Sequence, residues 1–227
     1  MADPTLLHVA ATVHGRILVD AAAGRPVALV LGFHGYGETA EEQLDRLRRT
    51  RGEEPWLLAS IQALHPFYRR RDRAVVASWM TRVDRELAIA DNTAYVEAAW
   101  RQIVGALGVE AVPVVLAGFS QGVAMACRAA RRIPAAALVI TGSDVPAELS
   151  DLGRPLPPAL LVRGRADEAY SMPVWRRDQT FLRELGGEVE ALELDGGHEW
   201  TDELADRARA FIRAQIAVRG SQLTPNP

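Results

Sequence analysis

Short apolar runs alternate along this chain with stretches of helical periodicity, and that alternation restricts the fold more than any other feature. Residues 27–33 are a continuous apolar run of the kind found in a strand buried on both faces, and 57–63, 112–118, 136–141, 159–163 and 188–194 read as further strands. Helical signals stand between them. Thr39 followed by Glu42 is a capping box, which predicts a helix to about residue 51. Val96, Trp100, Ile103, Val104 and Leu107 share one helical face, closed by Gly108. Residues 121–131 read as a helix, and so do 173–185, with Pro near the first turn and Gly186-Gly187 at the end. Thr201 can cap a last helix with Leu204, Ala208, Phe211, Ile212 and Gln215 on one face. Two runs at the start, 6–13 and 16–19, flank His14-Gly15 and predict an antiparallel hairpin. Residues 65–82 and 143–158 read as irregular. The sum is an α/β fold: about eight strands, mostly parallel, with an N-terminal antiparallel hairpin and helices on both faces.

The 227 residues suit a single domain, expected over 1–219, with a polar, frayed tail at 220–227. A net charge of −3 argues against a nucleic-acid partner. All 26 basic residues are Arg, so chemistry that needs a Lys amine is excluded: a Schiff base, a Ser-Lys dyad, a Walker-A loop. The single cysteine, Cys127, excludes an intrachain disulfide and a Cys-based zinc cluster, and fits a reducing, cytoplasmic setting. No signal-peptide pattern opens the chain and no apolar run is long enough to span a membrane. Neither a monomer nor a homodimer is favoured.

In sheets of this type ligands bind beyond the carboxyl ends of the strands, so the residues just after each strand carry the functional information. After 112–117 comes Gly118-Phe119-Ser120-Gln121-Gly122, a G-x-S-x-G turn from strand into helix. Such a turn holds a serine hydroxyl above the sheet edge, and its glycines allow close approach of neighbouring elements. A base and an acid must follow. His198, in Asp195-Gly196-Gly197-His198, comes after the last strand. Asp167 comes after the preceding one, with Asp144 as the rival acid. The loop Gly32-Phe33-His34-Gly35-Tyr36-Gly37 can turn a backbone N–H toward a substrate oxygen; Tyr36 and Gln121 are the expected oxyanion donors. His34 reads as a brace for that loop. Trp79, Met80, Phe119, Met172 and Trp200, together with Tyr36, are candidates for a short substrate pocket. Cys127 reads as a small buried hydrophobe, residues 69–73 as a solvated Arg-rich loop, and His8 with His14 lacks further ligands for a metal.

With His34-Gly35-x-Gly37, Ser78-Trp79, the Ser120 turn and Gly197-His198 in place, the chain resembles the α/β-hydrolases, and within them the phospholipase/carboxylesterase family that includes the acyl-protein thioesterases. Gln after the serine is typical of that family. Val123 replaces a frequent second Gly and Met80 an aromatic residue, differences that bear on the acyl pocket. The resemblance implies hydrolysis of carboxylic esters or thioesters without a cofactor or metal. The reading is a serine esterase for short- to medium-chain, small-molecule esters, with Ser120, His198 and Asp167 as catalytic residues. A thioesterase or lysophospholipase is the enzymatic alternative. A catalytically silent binding protein of the same fold is the other.

Overall fold

The computed structural model describes residues 4–21, 24–152 and 155–223. In chain order the elements are β1 (Ile17–Asp20), β2 (Ala28–Phe33), α1 (Ala40–Arg51), β3 (Trp56–Ile61), β4 (His65–Tyr68), β5 (Val75–Ser78), α2 (Arg85–Leu107), β6 (Val114–Phe119), α3 (Gln121–Ala129), β7 (Ala135–Thr141), a short 3-10 helix (Ala147–Leu152), β8 (Ala159–Gly164), α4 (Met172–Glu184), β9 (Val189–Leu194) and α5 (Asp202–Leu223). Seven strands form one sheet in the order β1-β3-β2-β6-β7-β8-β9, and all but β1 run parallel.

The strand sequences explain the two-sided cover. Successive side chains of β2 point to opposite faces. Leu29, Leu31 and Phe33 pack with Val96, Ile103, Val123 and Leu182 of α2, α3 and α4. Ala28 and Val30 pack with Leu44, Leu47, Ala208 and Ile212 of α1 and α5. Every residue of β2, β3, β6 and β7 is buried, which is why these strands read as continuous apolar runs. Burying one such Leu side chain stabilises the fold by about 1.5–3 kcal/mol. The capping box forms as expected. The Glu42 N–H donates to Thr39 Oγ1 at 3.2 Å and the Thr39 N–H to Glu42 Oε2 at 2.7 Å.

Three sequence expectations change. Residues 6–13 form no strand, so the sheet has seven strands and no N-terminal hairpin. β1 pairs instead with β3, the free edge of the parallel sheet, in the register Ile17 opposite Ile61. That edge offers an ordered ladder backed by a core, which an isolated hairpin lacks. Gly15 lets the incoming chain lie against the Tyr95 ring, where a Cβ would come within 1.9 Å of a ring carbon. The stretch 65–82 is not irregular: β4 and β5 form an antiparallel hairpin, and the Arg-rich segment is its turn, held by Arg69 on Asp72. Finally, α5 continues to Leu223, so the tail expected from 220 is helical that far; residues 224–227 lie outside the described residues. Among the described residues no helix is long and apolar enough to cross a membrane.

Candidate active site

β6 ends in a sharp turn at Ser120. Ser120 has φ 51° and ψ −125°, a conformation that L-residues rarely adopt, and α3 starts at the next residue. Its N–H is tied to the Thr141 carbonyl at 2.9 Å. The flanking glycines are required by contact. A Cβ on Gly122 would stand 2.1 Å from the Phe33 carbonyl oxygen, and one on Gly118 would stand 2.5 Å from that of Gly122.

The turn brings Ser120 Oγ within 2.9 Å of His198 Nε2. On the far side of the ring, His198 Nδ1 lies 2.9 Å from Asp167 Oδ2. A carboxylate oxygen accepts, so Nδ1 carries the proton and Nε2 is left to accept from the serine hydroxyl. Asp167 is buried, and its other oxygen takes the Ala169 and Tyr170 N–H groups, both at 2.9 Å. The carboxylate is thus fixed before it meets the imidazole. The loops after β8 and β9 interlock tightly: a Cβ on Gly164 would lie 2.2 Å from the Gly197 oxygen. The Phe119 ring, 5.1 Å away, and Gly142 border the imidazole. Asp144 does not join this row; it lies at the surface with Ser143 and Arg177 as its partners.

The loop after β2 sits against the serine, with a Cβ on Gly35 only 3.1 Å from Ser120 Cβ. The Gly35 N–H donates to Glu38 Oε2 at 2.7 Å and the Gly37 N–H to the Ala77 carbonyl at 2.9 Å. Between them, the Tyr36 N–H meets no acceptor among the described residues, and neither does the Gln121 N–H at the start of α3. Two unmet donors beside a serine hydroxyl, one at a helix N-terminus and one in the facing loop, are suited to receiving an oxyanion. His34 is buried beneath the loop; its Nδ1 lies 2.7 Å from the Gly35 oxygen and its Nε2 accepts the Ala63 N–H at 3.0 Å. Burial pulls its pKa below the usual imidazole value, which keeps it neutral.

Trp79 is not a wall of the cleft. It is fully buried and ties the two donor segments together. Its indole N–H donates to the His34 carbonyl at 2.8 Å, and its backbone N–H donates to Gln121 Oε1 at 2.8 Å. Gln121 Nε2 in turn donates to the Met80 carbonyl at 2.9 Å. The Met80 side chain approaches Arg128, and Met172 opens α4; neither lines the cleft at Ser120. Tyr36, Phe119 and Trp200 do. Sequence reasoning missed Glu38, Arg46, Arg49 and Glu199, which also line it. Arg46 and Arg49 sit one helical turn apart on α1, a spacing that in sequence reads as an ordinary charged face. Cys127 is buried away from the cleft, and burial pushes its thiol up to about 12.

A parallel sheet covered on both faces, with a serine turn after one strand and the acid and histidine after two later ones, is the α/β-hydrolase fold. Solved structures share it over most of the chain. A carboxylesterase from Mesorhizobium loti matches with a TM-score of 0.71 and 21% identity, over 88% of this chain and 93% of its own. Esterase PE8 matches with a TM-score of 0.70 and 24% identity, over 88% and 97%. Zea mays acyl-protein thioesterase 2 matches with a TM-score of 0.69 and 18% identity, over 89% and 100%. No protein-family model and no curated protein matches the sequence.

Proposed function

We propose that this chain is a serine hydrolase that cleaves short- to medium-chain carboxylic esters through an acyl-enzyme. The observation that carries the reading is the continuous row Ser120 Oγ, His198, Asp167 with 2.9 Å contacts on both sides of the ring, built on a strained turn. His198 Nε2 takes the hydroxyl proton as Ser120 Oγ bonds to the ester carbonyl carbon. Asp167 holds the ring and stabilises the imidazolium. The Tyr36 and Gln121 N–H groups receive the oxyanion. As the tetrahedral intermediate collapses, the imidazolium returns the proton to the leaving alcohol. A water then repeats the sequence on the acyl-enzyme, with His198 as base, and releases the acid and free Ser120. The likeness to solved structures named as an esterase and an acyl-protein thioesterase is consistent with this chemistry, and the charged cleft favours a short acyl group over a long one.

The test is a fluorophosphonate probe combined with a panel of nitrophenyl esters of increasing chain length. The wild-type protein is expected to take the probe and to turn over the short esters fastest. Ser120→Ala is expected to lose labelling and to lose turnover by about 10⁴–10⁶-fold while retaining its fold. Labelling that persists in the variant would place the nucleophile elsewhere and overturn the reading, and a wild-type protein that neither labels nor cleaves would leave a binding protein of the same fold.

A further inference from the structure

The cleft beside Ser120 encloses about 380 Å³ and is bordered by four charged side chains, Glu38, Arg46, Arg49 and Glu199. Two of these satisfy each other. Arg46 grips Glu38 in a bidentate pair at 2.6 and 2.7 Å, and its guanidinium lies 4.2 Å over the Phe119 ring. Glu38 has no oxygen to spare, because Oε2 also accepts the Gly35 N–H. Arg49 is different. Among the described residues only its Nη1 is engaged, with Asp202 Oδ1 at 3.0 Å, in a pair whose side chains are 47% and 87% exposed. Exposed pairs of this kind are weak and are readily exchanged. A guanidinium has five donors in a planar fork, so most of Arg49's capacity is unspent at the border of the cleft. Glu199 makes one contact, from the Gly197 N–H at 3.2 Å.

We propose that the substrate is a short ester that carries a carboxylate of its own, received by the Arg49 guanidinium at the edge of the cleft. The inference rests on the esterase reading above and narrows its substrate. A guanidinium fork matches a carboxylate in two parallel hydrogen bonds, which neither an ammonium nor a neutral group can supply. Binding exchanges the solvated Asp202 contact for one within the cleft that Ser120 also lines. The same lining works against a long alkyl chain, which would strip water from charged groups without replacing their hydrogen bonds. Glu199 opposes the substrate's charge, and so sets how strongly the acidic ester is preferred.

Monoethyl glutarate, ethyl butyrate and ethyl 4-(trimethylammonio)butyrate compare an anionic, a neutral and a cationic ester, with hydrolysis followed by proton release. The expected kcat/KM for the anionic ester exceeds that for the neutral one by about tenfold. Arg49→Gln is expected to bring that ratio near one and Glu199→Gln to raise it, while Arg207→Gln, a charge change away from the cleft, keeps the wild-type ratio. A preference for the cationic ester, or an unchanged ratio in Arg49→Gln, overturns the proposal. Cleavage of the neutral ester without an anionic preference overturns it and leaves the esterase reading intact. Calorimetric titration with glutarate alone reads the subsite independently of turnover. Saturable binding that Arg49→Gln abolishes supports the proposal even if no ester is cleaved; absence of binding in the wild-type protein counts against it.

Discussion

At the scale of single residues, position and environment separate two aspartates that sequence order leaves as rivals. Asp167 is buried and spends one oxygen on two backbone N–H groups, leaving the other for His198. Asp144 is exposed and meets only Ser143 and Arg177. Asp167→Asn is therefore expected to cut ester turnover by roughly 10⁴-fold, because an amide can present an N–H to Nδ1 and select the wrong tautomer. Asp144→Asn should stay within about twofold, as surface changes usually do. Steady-state kinetics on the two purified variants decides the assignment. Trp79→Phe removes the indole N–H and strands the His34 carbonyl in the interior, a loss of about 1–3 kcal/mol in stability. Because the indole bond is one half of the link that Trp79 makes between the two donor segments, kcat should fall about tenfold with little change in KM. The candidate site was legible where its chemistry is local, in the Ser120 turn and in the loops that end at Asp167 and His198. Trp79 and Arg49 were not, since the direction of a buried indole or a surface guanidinium depends on which distant backbone it meets.

At the scale of elements, the β6–α3 junction is sterically closed against β2. A Cβ on Gly122 would stand 2.1 Å from a backbone oxygen that cannot swing aside. Gly122→Ala must shift α3 or β2, and overpacking of this kind costs about 1–3 kcal/mol. Urea unfolding is expected to show that loss in the midpoint, together with reduced probe labelling as Ser120 is displaced. The helices and the parallel strands were readable because local propensity and tertiary context agree, as at the Thr39 cap and the Gly108 terminus, which has φ 62°. The β4–β5 hairpin was hidden because four-residue strands around an Arg-rich turn carry too little apolar patterning. The misassigned run at 6–13 shows the reverse. Leu6, Leu7 and Val9 look like a strand yet stay exposed, because β1 takes the sheet edge alone.

At the scale of the whole molecule, burial links the fold to alkaline pH. The Cys127 thiol is raised from 9.0 to about 12 and the Tyr95 hydroxyl from 10.0 to about 12, in both cases chiefly by desolvation. The unfolded chain releases these protons first, so it binds fewer protons than the native state across this range. The stabilisation is thus complete below about pH 9 and is lost as pH rises toward 12. Denaturation midpoints followed across that interval should fall, and Cys127→Ala should flatten the decline. A different consequence follows from the order of the strands. Tyr36 follows β2, Ser120 and Gln121 follow β6, Asp167 follows β8, and His198 follows β9, the last strand to be synthesised. A nascent chain therefore carries its serine before it has the imidazole that would take the proton. On the proposed mechanism a chain that stops before residue 198 is therefore expected to be inert toward esters, so that activity reports synthesis at least through the last strand and its loop.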